Sequence, residues 1–74
     1  MKSVRRYYRI DRRQIAFLKF ILEAYDGIAT LSTVDSRKGV ICLDIPPGSE
    51  PEVQTLLEDL RQQMIIEEAD ARWL

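Results

Sequence analysis

The stretch that decides the fold is "DRRQIAFLKFILEAYDGIATLSTVD", residues 11–35. Apolar residues recur at helical spacing from Ile15 to Tyr25, and Asp11 stands where a side chain can cap the start of a helix. Gly27 supplies the left-handed residue at which helices commonly end. The letters that follow it, "IATLSTVD", are rich in the β-branched residues that favour strands. The stretch therefore predicts a helix that gives way at once to a strand.

Alternating and helical patterns on either side extend this helix and strand into a complete domain. "SVRRYYRID" and "VICLDI" alternate as strands do, "MIIEEA" is typical of a short final strand, and "EPEVQTLLEDL" has one apolar helical face. Ser49 and Glu52 form a capping box at the start of that second helix. The predicted strands are about 3–10, 28–34, 40–45 and 65–69, and the predicted helices about 12–25 and 50–63, in a single domain of residues 1–74.

The order β-α-β-β-α-β is that of the ferredoxin-like arrangement, in which two helices cover one face of a four-stranded antiparallel sheet. The predicted fold class is therefore α+β, a ferredoxin-like sandwich. One alternative stays open, because residues 65–69 could instead extend the second helix. In the four-stranded form, we expect Ile41, Leu43 and Ile45 to enter the core together with Tyr25 from the first helix.

The small size of the chain makes its stability depend on some additional support. The chain has 74 residues, one cysteine and no histidine. Such a domain buries only about 60% of the surface that its unfolded chain exposes, and small domains usually add a disulfide, a metal or a partner subunit. A single cysteine excludes an internal disulfide, and without histidine it offers no zinc site. We therefore expect no metal, no cofactor, and a homodimer.

The sequence carries no signal for export or for membrane insertion. The opening "MKSVRRYYRI" lacks the apolar segment of a signal peptide. The apolar run of residues 15–25 is too short to span a membrane and is interrupted by Lys19 and Glu23. These features predict a cytoplasmic protein with no membrane partner.

The charges are divided unequally along the chain. Residues 1–38 hold nine Lys and Arg against four Asp and Glu, a net charge of +5, and residues 39–74 hold two against eight, a net charge of −6. This asymmetry could support head-to-tail or antiparallel pairing of two copies, or a basic patch for an anionic partner. Alternatively, the two halves interleave in the fold and the asymmetry disappears.

The first helix has more apolar surface than a helix on a sheet needs. Its apolar residues occupy more than half of the circumference, whereas packing on a sheet requires a stripe of about 100°. Phe17, Phe20 and Ala24 are the surplus. Two interpretations stay open: these residues fill the groove between the two helices, or they contact another chain.

A second candidate surface is the face of the sheet that the helices leave uncovered. If the core takes alternate residues of the third strand, Val40, Cys42 and Asp44 lie on the opposite face, beside Tyr7. Trp73 either folds back over the sheet edge or meets another chain. The candidate interface residues are Phe17, Phe20, Ala24, Tyr7, Val40, Cys42 and Trp73.

The reactive side chains form no catalytic set. Without histidine the commonest general base is missing, and Cys42 lies in a strand pattern with no neighbouring base in the sequence. A cysteine in that position is most often a small packing residue. We therefore predict no catalytic residue and no enzyme activity.

Arg5, Tyr7 and Arg9 form a stripe that resembles a nucleic-acid surface. The RNA-recognition fold has the same topology and stacks bases on aromatic residues of its two central strands. Here the third strand offers no aromatic residue, and Asp44 would repel a phosphate. An ordinary solvated or dimer-facing strand is favoured, and nucleic acid is not expected as a partner.

Two resemblances follow from "FLKFILEAYDGIATLSTVD" (residues 17–35) and "KGVICLDIPP" (residues 38–47). In topology the chain resembles ACT-type regulatory modules, which bind small ligands such as amino acids between paired domains. The glycine that this family has after its first strand is replaced here by "IDRRQI", so the resemblance assigns ligand binding to no residue. In amino-acid sequence, above all at "EAYDG", residues 7–66 resemble a family of short bacterial domains of unknown function. This resemblance implies a bacterial protein and contributes no activity.

The leading hypothesis is a non-enzymatic interaction or regulatory module that acts as a homodimer. It depends on the surplus apolar surface and on the absence of a reactive set. The alternative is a small-ligand sensor of ACT kind, with the ligand, or another protein, at the dimer interface. A single-stranded RNA-binding module that uses Arg5, Tyr7 and Arg9 is the third hypothesis.

Overall fold

A computed structural model describes residues 3–25 and 27–69 of the chain. The elements follow the predicted order β-α-β-β-α-β, and the last of them is a strand, not an extension of the second helix. They are β1 (Val4–Ile10), a 3-10 turn (Arg12–Gln14), α1 (Ile15–Ala24), β2 (Thr30–Asp35), β3 (Val40–Ile45), α2 (Glu50–Leu60) and β4 (Ile66–Ala69).

The four strands form one antiparallel sheet in the order β2-β3-β1-β4. In its centre Tyr8 of β1 is paired with Ile41 of β3, and Tyr7 with Cys42. Because side chains alternate between the two faces of a strand, this register assigns Tyr8 and Ile41 to one face and Tyr7 and Cys42 to the other. The arrangement is the predicted α+β ferredoxin-like fold.

The core lies between the sheet and the two helices. Ile41, Leu43 and Ile45 of β3 are fully buried, as predicted. Tyr8 is also buried, and its hydroxyl accepts a hydrogen bond from Gln54 Nε2 of α2 at 3.4 Å, which satisfies its polar atom. The remaining buried members of the cluster are Ile10, Leu18, Leu22, Ala29, Leu31, Val53, Leu56, Leu57, Leu60 and Ile66.

Both helices are shorter than predicted. The first turn of the predicted helix 12–25 is a 3-10 turn, and α1 itself ends at Ala24, three residues before Gly27 with its φ of +67°. α2 ends at Leu60 because the amides of Gln63 and Met64 both donate to the Leu60 carbonyl, which tightens the chain into a turn toward β4.

The capping prediction for α2 was wrong. Ser49 makes no side-chain capping hydrogen bond, although its carbonyl accepts from the Val53 amide at 3.0 Å. Its backbone is already in the right-handed helical region, whereas a capping side chain needs an extended backbone at that residue. Pro51 lies in the first turn as expected, where its missing N–H leaves no bond unmade.

Two expectations about burial are also corrected. Tyr25 is not in the core: it is 54% exposed, because α1 ends one residue earlier and the backbone of Tyr25 departs from helical geometry. Val40 belongs to the helix-free face as predicted but is completely buried. β3 is an interior strand, so Val40 has Arg9 of β1 on one side and Asp35 of β2 on the other.

Asp11 caps the 3-10 turn that precedes α1. Its Oδ1 accepts from the Arg13 amide at 2.9 Å, and its Oδ2 accepts from Arg13 Nη2 at 2.8 Å. These hydrogen bonds favour the charged carboxylate and lower the pKa of Asp11 from 3.8 to about 2. Because the folded pKa lies below the unfolded one, the stabilisation is complete above the unfolded pKa and is lost as the pH falls through the folded pKa.

We expect Asp11→Asn to make the chain less sensitive to acid. The melting temperature of the parent should fall as the pH falls from about 4 to about 2. The melting temperature of the variant should fall less, because the variant has no carboxylate to protonate at position 11. Thermal melts over this range test the difference, with Glu58→Gln as a control that removes another exposed carboxylate. An Asp11 carboxyl carbon that titrates in NMR near 3.8 would contradict the expectation.

Candidate interaction surfaces

The predicted interface residues do not form one surface. Phe17, Phe20 and Ala24 belong to α1, on the side of the sheet that the helices cover. Tyr7 and Cys42 are paired neighbours on the opposite, helix-free face. Val40 is buried there, and Trp73 lies outside the described residues. The molecule therefore offers two separate surfaces.

The outward side of α1 carries four exposed apolar residues together with the exposed charges of Lys19 and Glu23. α1 turns Leu18 and Leu22 into the core and leaves the opposite side in contact with solvent. The exposed fraction is 42% for Phe17 and 66% for Phe20, so Phe20 does not fill the groove between the helices. We call the exposed apolar residues of this helix the α1 outer face: Ala16, Phe17, Phe20 and Ala24.

The two ends of the α1 outer face differ in charge. Arg12 and Arg13 precede the helix, and Glu23 lies in its last turn. The guanidinium of Arg13 is held by Asp11, whereas Arg12 is exposed and forms no ion pair with any residue that the structure describes. The start of the helix is therefore basic, and Arg12 is the charge there that is open to a partner.

A groove with two acidic residues lies at the other end of α1, between Tyr25 and α2. Its volume is about 340 Å³. Glu52 and Asp59 supply carboxylates two turns apart on α2, and the half-exposed ring of Tyr25 forms part of the lining. We call this the acidic groove, and it is lined by Tyr25, Pro51, Glu52, Thr55, Leu56 and Asp59.

The acidic groove was not predicted from the sequence. The seven-residue spacing of Glu52 and Asp59 places both on one side of α2, and this spacing can be read from the sequence. That these two carboxylates lie close to Tyr25 depends on where α1 ends and how it packs against α2. The local sequence pattern does not contain this information.

The helix-free sheet face carries ion pairs between its arginines and carboxylates. The register brings Arg5, Tyr7 and Arg9 to this face, as the alternation predicted. Arg5 Nε lies 3.9 Å from a carboxylate oxygen of Asp44, and Arg9 Nη2 lies 2.8 Å from Glu67 Oε2. Because each guanidinium faces a carboxylate, this stripe attracts a phosphate backbone less than its arginines alone would.

The two outer strands are poorly suited to pairing with a further strand. β2 has an irregular register between Thr33 and Asp35, which interrupts the line of its backbone groups. β4 covers Ile66–Ala69, the last four residues that the structure describes, and carries Glu67 and Glu68. Irregular and charged edges are features with which proteins prevent edge-to-edge association. The α1 outer face is therefore the more suitable surface for self-association.

The described residues contain few features of a chemical site. No group of three or more His, Cys, Asp or Glu side chains that could hold a metal ion occurs among residues 3–25 and 27–69. A second depression, of about 490 Å³, lies where the chain turns from α2 to β4 and includes the exposed Ile65. None of the described helices is long and apolar enough to cross a membrane.

The comparison with known families matches most of this fold. Residues 8–64 match the family described as "Domain of unknown function (DUF4911)". The chain belongs to the DUF4911 family. The matched part of this DUF4911 domain runs from β1 to the turn after α2 and includes the α1 outer face and the acidic groove. The predicted resemblance to a family of domains of unknown function is confirmed, and that family assigns no activity.

The other comparisons add no relative. No curated protein and no solved structure matches this DUF4911 chain. The likeness to ACT-type modules and a bacterial origin stay predictions.

Proposed function

We propose that this DUF4911 domain is a non-enzymatic interaction module that acts as a homodimer through the α1 outer face. The observation that carries the proposal is the exposure of Phe20, two-thirds of whose surface is in contact with solvent beside three further exposed apolar residues of the same helix, Ala16, Phe17 and Ala24. Lys19 and Glu23 are the exposed charged residues of this helix. Contiguous exposed apolar surface is a feature of interaction sites in soluble proteins.

The energetics of a small domain support the same conclusion. A phenylalanine buries about 150–250 Å² when it is fully covered, and each Å² of apolar surface contributes about 25 cal/mol. In a two-fold dimer every contact occurs twice, so two copies of Phe17 and Phe20 contribute to a single interface. With one cysteine and no histidine in the sequence, a second subunit is the additional support that remains for this fold.

The experiment that tests the proposal is size-exclusion chromatography with light scattering over a range of micromolar concentrations. We expect a mass of twice the 8.6 kDa of one chain, with dissociation on dilution. A mass of one chain at every concentration would overturn the proposal.

A small-ligand sensor of ACT kind is the second candidate. It is favoured by the acidic groove, whose volume of about 340 Å³ is at the lower end of the range for ligand pockets. The carboxylates of Glu52 and Asp59 would favour an amine-bearing ligand such as an amino acid. Thermal-shift measurements with amino acids test it: we expect a higher melting temperature with a ligand, and no increase with any amino acid would contradict this candidate.

A further inference from the structure

We infer that two copies pair with their α1 helices antiparallel, so that Arg12 of each copy enters the acidic groove of the other. The inference rests on the proposed homodimer and adds its orientation and its polar contacts. It follows from the different charges at the two ends of the α1 outer face.

Symmetry leaves two orientations for a pair of identical helices. A two-fold axis parallel to α1 makes the helices parallel, and an axis perpendicular to α1 makes them antiparallel. The parallel pair would place Arg12 beside the partner's Arg12 and one acidic groove beside the other, which is repulsive at both ends. The antiparallel pair places unlike charges together at both ends and also opposes the two helix dipoles.

The spacing of the apolar residues fits the antiparallel pair. If the axis passes between Phe20 and Ile21, Phe17 lies opposite the partner's Ala24, and Ala24 lies opposite the partner's Phe17. A large residue then meets a small one twice, which lets the helices approach to the usual distance of about 8–10 Å. In this register the partner's Tyr25 is level with Ala16. At a rise of about 1.5 Å per residue, Arg12 therefore lies about 6 Å beyond the level of that Tyr25.

The chemistry of the groove fits a guanidinium. Arginine stacks on aromatic rings and forms charge-assisted hydrogen bonds with carboxylates. The groove offers the ring of Tyr25 and the carboxylates of Glu52 and Asp59, for which no ion pair occurs among the described residues. Arg13 forms an ion pair with Asp11, so Arg12 is the basic residue at the start of α1 that is open to this contact.

A charge exchange between Arg12 and Asp59 tests the orientation. In the antiparallel pair, Arg12→Glu places two glutamates beside acidic grooves, and Asp59→Arg places two arginines beside Arg12. We expect either change to raise the dimer dissociation constant at least about ten-fold, because each contact occurs twice. The double variant restores unlike charges at both ends and should return to within about three-fold of the parent.

The control is Lys38→Glu, which makes the same change of charge in the exposed turn between β2 and β3 and should leave the dissociation constant unchanged. Analytical ultracentrifugation measures all four variants, and circular dichroism checks that each is folded. In a parallel pair Arg12→Glu only replaces two facing arginines by two facing glutamates, so unchanged affinity would overturn the inference while leaving the homodimer intact. Failure of the double variant to regain affinity would overturn it as well. A monomeric parent would overturn both proposals.

An independent measurement uses cysteine at position 24 in a Cys42→Ser background. In the antiparallel pair the two copies of this position lie on opposite sides of the two-fold axis, so Ala24→Cys should not form a disulfide between subunits under mild oxidation. In a parallel pair the two positions face each other, and rapid formation of a covalent dimer would overturn the inference.

Discussion

Phe20→Glu is expected to convert the proposed dimer into a monomer that is still folded. In the free chain the new carboxylate occupies a position that is already two-thirds exposed, so the cost to folding is small. In the pair it would be buried against apolar residues without a counter-charge, and it would occur twice. We expect the dissociation constant to rise by about 100-fold or more. Analytical ultracentrifugation measures the mass, and circular dichroism verifies the fold.

The matched control for this variant is Ile65→Glu. Ile65 is 67% exposed, almost the same as Phe20, and lies beside the depression between α2 and β4, away from α1. The control should dimerise like the parent. If Phe20→Glu still forms a dimer, or if Ile65→Glu dissociates it, the α1 outer face is not the interface.

Gly39→Ala is expected to cause a larger loss of stability than the same substitution at Gly27 or Gly48. Gly39 ends the turn between β2 and β3 with a φ of +72°, a conformation that costs alanine about 1–2 kcal/mol. The added Cβ would also overlap with the carbonyl oxygen of Ile10. Relief of this overlap requires β1 and β3 to move apart where the Ile10 amide donates to the Gly39 carbonyl at 2.9 Å.

The total loss should be about 4 kcal/mol, against a folding free energy of about 4–11 kcal/mol for a chain of this length. The melting temperature should fall by about 15 °C or more. Urea unfolding followed by circular dichroism measures the change. Gly48→Ala is the control, because Gly48 also has a positive φ but no atom lies within 4 Å of an added Cβ. Equal losses in both variants would show that backbone conformation alone, and not the contact with Ile10, decides the effect.

The strands and their faces could be predicted because the information is local. Alternation in "SVRRYYRID" assigned Arg5, Tyr7 and Arg9 to one face and Tyr8 to the other, and the register agrees. Gly27 has the predicted positive φ, which few other residues adopt without strain, although α1 itself ends three residues earlier, at Ala24. Such features need only the neighbouring residues, so a single sequence contains them.

The remaining features depend on contacts between distant parts of the chain. The burial of Val40 follows from its place in an interior strand between β1 and β2. The exposure of Tyr25 follows from where α1 ends, one residue earlier than its apolar pattern. The helical spacing placed Phe17, Phe20 and Ala24 outside the core stripe of α1, and all three are exposed. The same spacing could not place Glu52 and Asp59 beside Tyr25, because that requires the packing of two helices.

The irregular register of β2 and the two glutamates of β4 also limit how copies of this subunit can assemble. Fibrils grow when each added chain leaves a fresh line of backbone donors and acceptors for the next one. Within residues 3–25 and 27–69, the irregular register interrupts the edge strand β2 and two carboxylates lie on the edge strand β4, so open-ended growth is disfavoured at both edges. Assemblies of the folded chain are therefore expected to stay small and closed even when the protein is concentrated.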